Sequence, residues 1–177
     1  MLIVIELCIV LGVILLDMLS KAFAQMYLTT LPGNSLTVIE GVFNFTYTTN
    51  DGAAWSILSG QRWLFVVMGV IACIIMVWFL WKSKQTSKIL RIGLSLMLGG
   101  TIGNMYDRIV LGEVRDMLHV TFIRFPIFNI ADCALCIGVA LVIVYILFIY
   151  KEPDKKDSNT PKSEENKTED TVEVDNG

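Results

Sequence analysis

Residues 98 to 118, LGGTIGNMYDRIVLGEVRDML, open as an apolar helix and then set Asn104, Asp107, Arg108 and Asp116 where such a helix would leave a bilayer. The rest of the chain is sparing with residues of this kind. Of its 177 residues 54% are apolar and 18% charged, and the mean hydropathy is +0.62. An ordinary soluble domain is not built this way, so polar groups placed beside a span call for a reason.

Working outward, three more apolar runs approach the roughly 20 residues needed to cross a hydrocarbon core. The first covers 2 to 28 and is interrupted by Glu6, Asp17 and Lys21; the second, 63 to 81, carries no charge and has Trp at both ends. The fourth, 127 to 150, is apolar apart from Asn129 and Asp132 near its start. Within the third, Gly99 and Gly103 are four apart and permit close helix approach. No Lys or Arg precedes the first run, which argues against a cleaved secretory leader. Lys82, Lys84, Lys88 and Arg91 lie between runs two and three with no acid among them, and the positive-inside rule makes that loop cytoplasmic. Four spans then leave both termini cytoplasmic and bring the polar loops to the outer face. The expectation is an all-α membrane protein of four transmembrane helices with a small extracytoplasmic β-rich loop region. Its domain would be 1–150, followed by a disordered acidic cytoplasmic tail, 151–177, that holds nine of the seventeen acids.

Within the first outer loop, SLTVIEGVFNFTYTTNDG reads as a strand or hairpin ending in the turn Asn50-Asp51-Gly52. AAWSILSGQRW reads as a short interfacial helix. All four cysteines, Cys8, Cys73, Cys133 and Cys136, lie in apolar runs and behave there as small apolar residues.

Ionisable groups inside spans mark functional sites or buried pairs. Asp17 and Lys21 share one helix face and can neutralise each other; a sharper reading puts Lys21 at a lipid phosphate or substrate carbonyl. Arg108 suits bidentate partners, and Asp107 beside it reads as its structural ion-pair partner. Asp132 has no base within a helical turn, which points to proton handling. Asp116 is its natural partner, because the short connection returns the chain to the same membrane face; Asp107 competes for that place. Two adjacent carboxyls share one proton and can activate water while polarising a carbonyl, which is peptide hydrolysis without a covalent intermediate. One histidine, His119, with no H-E-x-x-H leaves a zinc site without support, so neither metal nor cofactor is expected. No basic patch suits nucleic acid. The rival reading is a small ion-coupled membrane transporter or channel with Asp17, Lys21, Asp107 and Asp132 along its path. Its polar groups, however, cluster near one face, and no internal repeat is evident.

Five motifs in order resemble bacterial lipoprotein signal peptidase, or signal peptidase II, an intramembrane aspartic peptidase: DMLSK (17 to 21), NDGAAW (50 to 55), GGTIGNMYDR (99 to 108), GEVRDM (112 to 117) and FNIAD (128 to 132). The resemblance covers residues 1 to 150. It implies that Asp116 and Asp132 are the catalytic pair, that Asn50, Gly52, Asn104, Arg108 and Asn129 line or support the site, and that Asp17 and Lys21 form a polar pair near it. It implies a bacterial inner (cytoplasmic) membrane location with the site near the outer face. The substrates it implies are diacylglyceryl-modified prolipoproteins, cut just before the lipidated cysteine by a monomer among membrane phospholipids. Two positions depart from the family: Trp55 stands where many relatives have Phe, and Arg115 precedes Asp116. Neighbouring side chains on an extended segment point to opposite faces, so Arg115 is expected to face solvent or lipid head groups.

Overall fold

Apolar runs without a soluble partner become helices because only internal hydrogen bonding satisfies the backbone in hydrocarbon. The computed structural model describes residues 2–53, 55, 57–82 and 87–150. The acidic segment 151–177 and Lys84 lie outside the described residues. Among the described residues four α-helices form: α1 (Leu2–Leu28), α2 (Arg62–Lys82), α3 (Lys88–Val110) and α4 (Ile130–Val144), the last running on into a π-helical turn, Tyr145–Ile149. Among the described residues three stretches are long and apolar enough to cross a membrane, Ile3–Leu28, Arg62–Lys82 and Ile130–Ile149. Their apolar side chains point outward in number, among them Leu15, Leu19, Met68, Ile74 and Leu147, which water would penalise and lipid does not.

The more polar α3 packs against each of α1, α2 and α4. It buries Arg91, Ser95, Asn104 and Asp107. Val10 of α1, Met76 of α2, and Leu94 and Leu98 of α3 form the apolar core. As expected from the sequence, small residues bring the backbones close: a Cβ added at Gly99 would stand 2.8 Å from Val13 Cβ, and one at Gly103 2.6 Å from Asp17 Oδ2. At Gly100 the obstacle is the Ala131 carbonyl oxygen, 2.5 Å away. Backbone cannot swing aside as a side chain can, so Gly100→Ala is expected to cost about 1–3 kcal/mol by overpacking. Thermal unfolding in detergent checks this, and an unchanged midpoint would mean that the α3–α4 contact yields freely.

At the opposite end from Arg91, a three-stranded antiparallel sheet of order β1-β2-β3 covers the helices. It comprises β1 (Ser35–Ile39), β2 (Phe43–Asn50) and β3 (Val114–Val120). The hairpin expected between residues 35 and 52 is β1 and β2, and β3 pairs with β2 through Phe45↔Leu118, Thr48↔Asp116 and Asn50↔Val114. Two intervals are unequal, three residues on β2 against two on β3, so the pairing bulges there. On the other edge of β3, the amides of Met117 and Leu118 both donate to the Phe128 carbonyl, at 3.0 and 2.8 Å. β3 is thereby held between the sheet and the segment that leads into α4.

Of the interfacial helix expected over residues 53–63, positions 54 and 56 lie outside the described residues, Trp55 stands in a 3-10 turn, and residues 57–60 are not helical. Ser59 Oγ donates to both Asp51 oxygens at 2.6 Å, and the Gly60 amide donates to Oδ2 at 3.1 Å. These bonds draw residues 57–60 into turns, with Leu58 at φ 59° and Gly60 at φ 78°. Helix resumes at Arg62.

Candidate active site

A buried ammonium is tolerable only when its donors are met. Lys21, fully buried, donates to Asn104 Oδ1 at 2.9 Å and forms ion pairs with Asp17 Oδ2 at 2.7 Å and Asp107 Oδ2 at 3.3 Å. Two carboxylates and one amide oxygen thus surround the ammonium. Asp17, one turn earlier on α1, also accepts the Ala131 amide at 2.9 Å, which ties α1 to the start of α4. The local pairing of Asp17 with Lys21 is therefore present. A place for Lys21 at a lipid phosphate or a substrate carbonyl is not, because the side chain is sealed inside.

The same lysine orients an amide chain. With its oxygen on Lys21, Asn104 turns its nitrogen to Asp132 Oδ1 at 2.8 Å. Asn129 is the N-cap of α4: its Oδ1 accepts the Asp132 amide at 2.9 Å, while Asp132 Oδ2 accepts the Asn129 amide at 3.1 Å. This reciprocal capping box was legible in the spacing N-x-x-D before an apolar run, although only family likeness singled out Asn129. Asn129 Nδ2 then donates to Asp116 Oδ1 at 2.6 Å and to Asn104 Oδ1 at 3.1 Å. Asp116 from β3 and Asp132 from α4 are thus bound to one asparagine.

Both carboxyls line a pocket of about 230 Å³ together with Asn50, Gly52, Asn104 and Arg108. Arg108 Nη2 donates to the Gly52 carbonyl at 2.9 Å, and its guanidinium lies over the Phe65 ring at 4.8 Å. Asn50 shapes the turn that offers this carbonyl, accepting the Gly52 amide at 3.0 Å and donating to the Ala53 carbonyl at 3.2 Å. Trp55, at φ 55° and exposed, meets Phe125 edge-on at 6.4 Å, and both line the pocket. Phe65 escaped the sequence reading because an aromatic within an uncharged span looks like any lipid-facing residue.

Two expectations fail here. Asp107 does not pair with its neighbour Arg108; it pairs with Lys21 and with Arg115, whose Nη2 reaches Asp107 Oδ1 at 2.7 Å. Arg115 faces neither solvent nor head groups: it is 8% exposed and also donates to Gln25 Oε1 at 3.2 Å. Alternation does keep Arg115 and Asp116 on different partners, but the far face of β3 is covered by α1 and α3.

Burial first, and then the nearby Asp132 charge, raise the Asp116 carboxyl from 3.8 to about 7, against the opposing pull of Asn129, Lys21 and Arg108. Asp132 accepts N–H donors on both oxygens. The pocket therefore combines a carboxyl whose affinity for a proton is raised with a second carboxyl fixed by donors on both oxygens, a pairing that suits general acid–base chemistry. No group of three His, Cys, Asp or Glu suited to a metal comes together among the described residues.

Comparison with known proteins identifies the family of the chain. The family model described as signal peptidase (SPase) II matches residues 9–148. A lipoprotein signal peptidase of Lactobacillus johnsonii is 47% identical over 117 residues, covering 66% of this chain and 76% of that one. One from Lactiplantibacillus plantarum is 38% identical over 143 residues, covering 81% and 94%. A solved structure described as a bacterial membrane enzyme superposes with a TM-score of 0.75 at 36% identity, covering 85% of this chain and 94% of that one. With a match across all four helices and the sheet, the chain belongs to the signal peptidase II family and is a peptidase.

Proposed function

We propose that this protein is an intramembrane aspartic endopeptidase that removes the signal peptide from diacylglyceryl-modified prolipoproteins, cutting just before the lipidated cysteine. The observation that carries the reading is the convergence of Asp116 and Asp132 on one pocket and one bridging asparagine. Asp132 takes a proton from water as the oxygen attacks the scissile carbonyl carbon, and Asp116 donates its proton to the carbonyl oxygen. Collapse of the resulting gem-diol returns a proton to Asp116 from the hydroxyl and passes one from Asp132 to the departing amide nitrogen. The products are a carboxyl on the signal peptide and a free amine on the cysteine. Arg108, tethered to Gly52, orients the substrate backbone, and Asn50, Asn104, Asn129, Asp17 and Lys21 hold the pair in register.

In this reading α3 is the fourth span. Its 23 residues are long enough to cross with some tilt, and its polar side chains turn into the bundle. Lys82, Lys88 and Arg91 mark the cytoplasmic end, so both termini are cytoplasmic and the carboxyl pair lies near the outer face. The protein works as a monomer in the cytoplasmic membrane, with phospholipids around its exposed apolar helices.

The test is cleavage of a diacylglyceryl-modified lipobox peptide by the purified protein in lipid, followed from about pH 5 to about pH 9. Cleavage is expected only before the lipidated cysteine. Activity should fall as pH rises through about 7, because Asp116 then loses the proton it must donate. A rate that keeps its plateau to the alkaline end would remove Asp116 from the donor role, and an inert protein would sink the substrate assignment.

A further inference from the structure

The residue before Asp116 is held as firmly as Asp116 itself, and by groups on the opposite side of the strand. Asp107 of α3 receives three N–H donors from Arg115: the backbone amide at 3.1 Å and Nε at 3.3 Å on Oδ2, and Nη2 at 2.7 Å on Oδ1. Arg115 Nη1 adds Gln25 of α1 at 3.2 Å. From the other direction, Asn129 Nδ2 lies 3.5 Å from the Arg115 carbonyl while holding Asp116 Oδ1 at 2.6 Å. The two peptide groups flanking Arg115 are thereby pinned between α3 and α4.

The charges close as well. Asp17, Lys21, Asp107 and Arg115 are all buried, two acids against two bases, linked by contacts of 2.7 to 3.3 Å. Without Arg115 the set would carry an uncompensated negative charge behind Asp116, and breaking a buried pair is costlier than never having had one.

We propose that Arg115 is a positioning residue for the peptidase reaction: docked on Asp107, it sets from behind the strand the orientation in which Asp116 faces Asp132. A guanidinium suits this because its planar fork engages one carboxylate with two nitrogens and fixes an angle as well as a distance. The inference rests on the catalytic pair proposed above, so Asp132→Asn serves as its control. If that variant cleaves normally, the pair is misassigned whatever Arg115 does.

The experiment compares wild type, Arg115→Met, Arg115→Lys and Asp107→Asn/Arg115→Met on the lipidated peptide, with rates expressed per folded protein. Arg115→Met is expected to lower kcat by about 30-fold while KM stays within about twofold, since Arg115 does not line the substrate pocket. Lysine keeps the charge but not the fork, and should recover only part of the loss. The neutral double variant restores charge balance without the clamp; it should fold, and its kcat should stay at least about tenfold down. A kcat within about twofold of wild type in Arg115→Met would overturn the proposal. So would full activity in the double variant, which also decides the matter if Arg115→Met does not fold.

Discussion

Asp116→Asn and Asp132→Asn are each expected to lower kcat by about 10²–10⁴-fold, the range over which positioned acid–base groups act. The amide matches the carboxyl in shape, so the hydrogen-bonded frame of Asn104 and Asn129 has little reason to collapse. The two variants should nevertheless differ in stability. Asp116 holds its proton more tightly in the folded protein, at about 7, than the ordinary carboxyl value of 3.8. A raised acid contributes favourably below its unfolded value and loses that contribution as pH rises toward the folded one. Asparagine carries no such penalty, so Asp116→Asn should melt at or above wild type at pH 8 or so. Asp132 accepts two N–H donors, and an amide cannot accept with both ends, so Asp132→Asn should melt lower. Thermal unfolding in detergent beside single-turnover cleavage makes both comparisons. Retained cleavage by either variant would shift attention to Asp107, the competing carboxyl near the end of α3.

The second large effect is structural. Lys21→Met should cost about 3–5 kcal/mol, the range for removing one partner from a buried ionic set. Asp17 would be left with the Ala131 amide, and Asp107 would lean wholly on Arg115. Asn104 would lose the ammonium on its oxygen, leaving only Asn129 Nδ2 at 3.1 Å to keep its nitrogen facing Asp132. Activity should therefore fall with stability. The readout is the unfolding midpoint together with kcat at a temperature where the variant remains folded. A midpoint within a degree or so of wild type would mean that the ionic set repays no more than its own desolvation.

The parts of this molecule legible in its residues are those whose physics is local. Apolar runs of about 20 residues became helices, because a span's hydrogen bonds are all its own. The turn at Asn50-Asp51-Gly52 follows from side chains that bond their own backbone two residues on. Asp17 and Lys21 meet because positions four apart share a helix face. The N-x-x-D spacing at Asn129 carried its capping geometry openly, and that one local motif sets a carboxyl of the candidate site.

Contacts between elements were decided differently. Arg108 sits directly after Asp107, yet on a helix adjacent residues point about 100° apart, and packing assigned them separate partners: the Gly52 carbonyl for one, Lys21 and Arg115 for the other. Arg115 looked solvent-facing because alternation along a strand tells which residues share a face without telling what covers each face. The bulge between β2 and β3 depends on a strand pairing far along the chain, and the recoil of residues 57–60 onto Asp51 on a side chain beyond the reach of a helical turn. The amino-acid order by itself determined the helices, the hairpin, the local pairs and the family. Only the tertiary structure decided which buried charge answers which, because burying an ion demands compensation from whatever the fold brings near it, and that neighbour is set by helix packing rather than by position in the chain.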